Sequence, residues 1–245
     1  MIPLNPIPEA ETSQVSNEEM TEKRIYFISG LGADERVFHL LDYSGYDPVH
    51  IRWIPPEPRE SIESYAARLC EQIQEHRPTL VGLSFGGLIA TEIAKQIEVE
   101  QVILVSSAKT AAEIPIYYKL FRILPIHRIF PFKTMLWAAY WLAYWLFGVD
   151  TLDERRLLKA ILLDTNPQFL KWALHKVVTW RNQTVPERLV HLHGGCDRIF
   201  PLRFAQPSCV IDEGGHLMIM NCAIKVSALM RQFIKAAAQP LSPPA

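Results

Sequence analysis

"LVGLSFGGLIA", residues 80–90, is an apolar run that reaches one small polar residue, Ser84, and then resumes. Gly82, Gly86 and Gly87 stand around that serine. The stretch "TLVGLS" (79–84) reads as a buried strand, and "GGLIATEIAKQI" (86–97) reads as a helix. Any tight strand-to-helix turn favours small residues. The sharper reading is that the turn holds a serine in a strained, accessible backbone position for chemistry. G-x-S-x-G alone is weak, arising by chance in a chain of this length about one time in ten. Its weight comes from the strand before it and the helix after it.

Working outward, "RIYFISG" (24–30) and "PVHIRWIP" (48–55) read as strands, the second stopped by Pro55 and Pro56. "SIESYAARLCEQIQEH" (61–76) has helical apolar spacing behind Ser61 as a cap. "QVILVSSA" (101–108), "RLVHLHGG" (188–195) and "SCVIDEGG" (208–215) restore the strand pattern, and "AIKVSALMRQFIKAAA" (223–238) closes as a helix. Strands alternating with helices predict an α/β fold with a mostly parallel sheet of about six strands, covered by helices on both faces. In such sheets ligands gather at the carboxyl ends of the strands. The expected organisation is a core over 23–108 and 186–238, with a helical cap inserted at 109–185. Residues 1–22 are expected as a disordered leader and 239–245 as a disordered tail.

Of the 245 residues, 49% are hydrophobic and 21% charged, with a formal net charge of −1. That balance gives no reason to expect a nucleic-acid partner. Cys70, Cys196, Cys209 and Cys222 lie far apart with no C-x-x-C pair, and read as reduced, mostly buried thiols. The first residues show no basic and apolar secretory signal, so a cytoplasmic location is expected.

A serine hydroxyl is a poor nucleophile unless a base takes its proton and a third group orients that base. His216, in "DEGGHLM", follows the last strand and is the candidate base. Asp197, in "HLHGGCDRIFP", ends the strand before and is the candidate acid. Asp150, Asp153 and Asp164 fall in the insertion, and Asp212 lies within the last strand. Negative charge developing on a substrate oxygen needs donors: the backbone N–H of Phe85 and that of Leu31 in "SGLGADERVF", where Gly30 and Gly32 let the backbone approach. Asp34 reads as a helix cap and Arg36 as a charge that pins the loop. His191 and His193 project to one side of a strand, a weak metal signal next to the simpler reading as core histidines.

On "SGLG", "GLSFGG", "GGCDRIFP" and "GGH" the chain resembles the α/β-hydrolase superfamily, over most of residues 24–238. It looks closest to the small single-domain branch with a helical cap. The resemblance implies a Ser84–His216–Asp197 triad and cleavage of a carboxylic ester, lactone or thioester through an acyl-enzyme, with no metal or organic cofactor. Many members carry His-Gly at the oxyanion loop, where this chain has Ser29-Gly30. A serine at the elbow separates the chain from the haloalkane dehalogenases and epoxide hydrolases of this fold, which place Asp there. The same triad also serves cofactor-free lyases, haloperoxidases and slow ligand receptors.

The stretch 114–149 contains Lys119, Arg122, Arg128 and Lys133 and no acid. Trp137, Trp141 and Trp145 share a helical face, with Tyr140, Tyr144 and Phe147 beside it. The apolar run from Thr134 to Val149 is shorter than the roughly 17–25 residues of a membrane span. A cap helix over the site is the main expectation, with shallow contact on an anionic membrane surface as the other. An apolar small-molecule substrate follows, with Gly30, Trp137, Trp141 and Tyr140 as candidate substrate-binding residues. The sequence leaves the oligomeric state open.

Overall fold

The computed structural model describes residues 23–118 and 140–237. Six strands form one parallel sheet in the order β2-β1-β3-β4-β5-β6. They are β1 (Arg24–Ile28), β2 (Asp47–Ile51), β3 (Thr79–Leu83), β4 (Gln101–Val105), β5 (Leu189–Gly194) and β6 (Cys209–Ile211). Strands β3 and β4 are buried along their whole length, as continuous apolar runs in a parallel sheet require.

Each face of the sheet carries its own apolar layer. Phe27, Val81, Leu83 and Val105 join Val226 and Met230 on one face. Tyr26, Ile28, Leu80 and Leu104 join Tyr65, Leu69, Leu88 and Ile93 on the other. The first layer is roofed by α7 (Ala223–Ala237), the second by α1 (Ile62–Leu69) and α2 (Phe85–Ala94). Between β4 and β5 the described insertion holds α3 (Tyr140–Phe147), α4 (Leu152–Asp164) and α5 (Pro167–Thr179). Helix α4 contributes Leu158 and Ile161 to the first layer, and α5 contributes Phe169 and Ala173 to the second. The insertion therefore grips both faces of the sheet. A short helix, α6 (Met218–Asn221), follows β6.

The helix expected over 61–76 is shorter. It is capped by Ser61 as expected, ends at Leu69, and passes into a 3₁₀ turn over Cys70–Gln72. The Gln72 amide then pairs with both backbone groups of Arg52, extending the edge of β2 with a side chain and ending the helix. The cysteines also differ from expectation: Cys196 is exposed and the other three are half-buried. Strand β6 stops at Ile211, so Asp212 lies just beyond it. The expected leader and tail, Trp137 and the four basic residues of the acid-free stretch lie outside the described residues. No helix among the described residues is long and apolar enough to cross a membrane.

Candidate active site

Ser84 stands between β3 and α2 with φ 53° and ψ −117°, a left-handed conformation that costs a non-glycine residue about 1–3 kcal/mol. The surroundings hold it there. Its N–H donates to the Val105 carbonyl at 2.9 Å, and its carbonyl accepts from Ser107 Oγ at 2.7 Å. The neighbouring glycines are required by space. A Cβ on Gly82 would come within 2.5 Å of Gly87 Cα, and one on Gly86 would run into the Ile28 carbonyl. The helix can therefore start directly above the strand, which lifts the hydroxyl over the sheet edge.

His216 lies 132 residues further on, yet its Nε2 is 2.9 Å from Ser84 Oγ. Its Nδ1 is 2.9 Å from Asp197 Oδ2. The other carboxylate oxygen of Asp197, Oδ1, accepts from the N–H groups of Ile199 and Phe200, both at 2.8 Å. Those two amides fix the carboxylate so that Oδ2 faces the imidazole. Asp197 is only 4% exposed. Burial alone would raise its pKa, but the His216 charge and hydrogen bond, the Phe200 amide and His193 together hold it below the ordinary carboxylate value. His216 Nδ1 thus meets Asp197 and not Asp212. A carboxylate on Nδ1 keeps that proton in place and leaves the Nε2 lone pair for the serine hydroxyl.

Gly30 lies beside the serine: a Cβ built on it would be 3.6 Å from Ser84 Cβ. Leu31 follows it, and neither the Leu31 nor the Phe85 N–H finds a hydrogen-bond acceptor among the described residues. The loop that carries Leu31 is tied at several points. Ala33 N–H donates to the Gly30 carbonyl at 3.0 Å. The Ala33 carbonyl accepts from Ser29 Oγ at 2.7 Å and from Trp53 Nε1 at 2.9 Å. Thr165 Oγ1, at the end of α4, lies 2.7 Å from the Gly32 carbonyl and 2.7 Å from the Ile161 carbonyl, and its one proton is shared between them. Asp34 caps the next turn, and Arg36 bridges Asp34 at 2.7 Å and Asp164 at 2.8 Å, pinning the loop to α4.

Aromatic rings pack on His216 and on Phe85, the residue after Ser84. Phe147 meets the His216 ring edge-on at 5.6 Å, and Phe200 lies 5.9 Å from it. Trp53, Phe85 and Phe169 form one cluster, with Trp53–Phe169 centroids 5.1 Å apart and Trp172 against Phe85 at 6.1 Å. Of the aromatics expected at the site, Tyr140 stacks on Tyr144 under the Lys159 ammonium. Trp141 is 71% exposed. Sequence reasoning missed Trp53, Phe169, Trp172 and Thr165. The signal available for the last three was local: "TLDE" at 151–154 is a capping box that starts α4, and Asn166–Pro167 starts α5.

His191 and His193 are wholly buried on β5 and turned toward each other, Nε2 of the first 3.0 Å from Nδ1 of the second. Burial pushes the pKa of His191 down to about 3, helped by His193, and also lowers that of His193. Among the described residues no group of three or more His, Cys, Asp or Glu side chains is placed to hold a metal ion.

The sequence matches the model of the "Alpha/beta hydrolase family" over residues 21–226. It matches none of the curated proteins. Solved structures share its fold at low identity. The thermophilic esterase from Thermogutta terrifontis superposes with a TM-score of 0.68 at 17% identity, covering 89% of this chain and 92% of that one. The bromoperoxidase from Bacillus anthracis gives 0.65 at 17%, covering 88% and 92%. An N-acyl homoserine lactonase complexed with N-butanoyl homoserine gives 0.63 at 15%, covering 91% and 92%.

Proposed function

The chain belongs to the alpha/beta hydrolase family, and on that premise we propose that it is a serine hydrolase cleaving a carboxylic ester, lactone or thioester. One observation carries the reading: Ser84, His216 and Asp197 form an unbroken hydrogen-bonded series at the carboxyl edge of the sheet. In the proposed reaction His216 Nε2 takes the proton of Ser84 Oγ as that oxygen attacks the acyl carbon. The N–H groups of Phe85 and Leu31 receive the charge that develops on the carbonyl oxygen, an effect worth about 2.7–4 kcal/mol per donor in related chemistry. The imidazolium then gives its proton to the leaving group, and an ester of Ser84 remains. Water, deprotonated by the same imidazole, releases the acid and restores the hydroxyl. Asp197 stays ionised and holds the ring in the required tautomer throughout.

The rings of Phe147, Phe200, Trp53 and Phe169 around this edge support an apolar group on the substrate. The test is turnover of a panel of p-nitrophenyl esters and lactones by the wild type and by Ser84→Ala. The reading expects hydrolysis by the first and none above background by the second, with the variant melting as the wild type does. Undiminished hydrolysis by Ser84→Ala would overturn it.

A further inference from the structure

On the serine-hydrolase reading, we infer that His193 is a positioning residue: it holds the Asp197–Phe200 turn through the Phe200 carbonyl and so aims the Asp197 carboxylate at His216. His193 Nε2 lies 2.7 Å from the Phe200 carbonyl, which can only accept, so Nε2 carries the proton and donates it there. Nδ1 of the same ring is then an acceptor, and the group facing it at 3.0 Å, His191 Nε2, must be the donor. His191 Nδ1 then keeps its lone pair; it makes no hydrogen bond of good geometry among the described residues, although the Ser107 backbone lies close enough to act on the ring. This arrangement of protons satisfies both nitrogens of His193, with both rings neutral. The burial of both side chains favours that neutral state.

Phe200 is thereby held at both ends. Its carbonyl receives the His193 proton, while its N–H reaches Asp197 Oδ1 at 2.8 Å. Asp197 Oδ2 is the oxygen that meets His216, and its separation from His193 Nε2 is 3.8 Å, too long for a direct bond. His193 therefore reaches the carboxylate through the Phe200 backbone. The loop has other ties, Tyr118 Oη donating to the Ile199 carbonyl at 2.9 Å among them, but His193 comes from the sheet itself. It anchors the turn to a strand paired on both sides, β5 between β4 and β6. The charged or titratable groups acting on the two rings are Asp197, His216, Glu113 and Lys109.

Two variants separate this role from filling space. His193→Gln places an amide N–H about where Nε2 stands, within reach of the Phe200 carbonyl. His193→Asn buries the same amide but stops near Nδ1. Rates of p-nitrophenyl butyrate hydrolysis are referred to the folded fraction measured by near-UV circular dichroism and thermal melting, so an unfolded fraction is not counted as a loss of rate. The expected result is that Gln retains most of kcat. Asn should lose on the order of ten- to a hundredfold in kcat with KM unchanged, as sub-ångström to ångström misplacement of a reacting group does. The acid limb of kcat/KM should move to lower pH in Asn, because the imidazolium loses part of its counter-charge, and stay in place in Gln. Equal kcat and equal acid limbs for the two variants would overturn the inference while leaving Ser84 in its role. An active Ser84→Ala would instead remove the reading beneath it. Should Asn fail to fold, side-chain ¹⁵N spectra of the wild type decide: a neutral Nε2–H ring for His193 whose shifts respond when His216 is protonated supports the inference. The Nδ1–H tautomer, or no response, overturns it.

Discussion

The separation of roles at the site is made by single atoms. Asp197 uses Oδ1 to accept two backbone amides and Oδ2 to meet His216, so an amide in its place can keep the first role with its oxygen but turns an NH2 donor toward Nδ1 and spoils the second. Asp197→Asn should leave the fold intact and lower kcat by about 10⁴, because the imidazole loses the partner that fixes its tautomer. Ester kinetics on the purified variant check this, and a loss of less than about tenfold would contradict it. A stability consequence has a definite sign. The pKa of Asp197 is below its ordinary value of 3.8 in the folded chain, so the folded state binds fewer protons there than the unfolded one. The stabilisation from this group is present above the unfolded pKa and lost as pH falls through the folded one. Melting temperatures of wild type and Asp197→Asn should therefore differ at neutral pH and converge below about pH 4.

Between elements, the contact of α4 with the loop after β1 decides how firmly Leu31 is presented. Thr165→Val keeps the shape of the side chain and removes the one proton that the Gly32 and Ile161 carbonyls share. It should cost about 1 kcal/mol of stability and lower kcat by about tenfold, since the Leu31 amide lies next to the loosened carbonyl. Thermal melting and ester turnover measure the two effects, and wild-type values of both would show the tie to be idle. This contact spans 133 residues and has no local signature. Ser84, Asp197 and His216 were legible for the opposite reason: each follows a short apolar strand with glycines close by in sequence, and such strands are written in local runs. The inward side of α3 was not legible. Tyr140–Phe147 is apolar all round, so no periodicity marks a buried face, and only Ala143 is fully buried. The chain likewise announced α4 and α5 only through "TLDE" and Asn166–Pro167, short caps beside a long unpatterned apolar run.

For the molecule as a whole, the insertion and the sheet share one apolar environment around the serine. The ring cluster of Trp53, Phe85, Phe169 and Trp172 joins β2's continuation, the elbow and α5. An acyl group that lies against such rings should gain about 0.8 kcal/mol per buried methylene. Across p-nitrophenyl acetate, propionate and butyrate, kcat/KM should therefore rise by about threefold to fourfold per methylene. A flat profile would mean that these rings do not touch the acyl chain. The most direct test of the account is the site of covalent labelling. Peptide mass mapping after fluorophosphonate treatment should find the adduct on Ser84 in the wild type and lose it in His216→Ala, which removes the base but not the hydroxyl. An adduct on another residue, or labelling of His216→Ala at the wild-type rate, would contradict an activated Ser84.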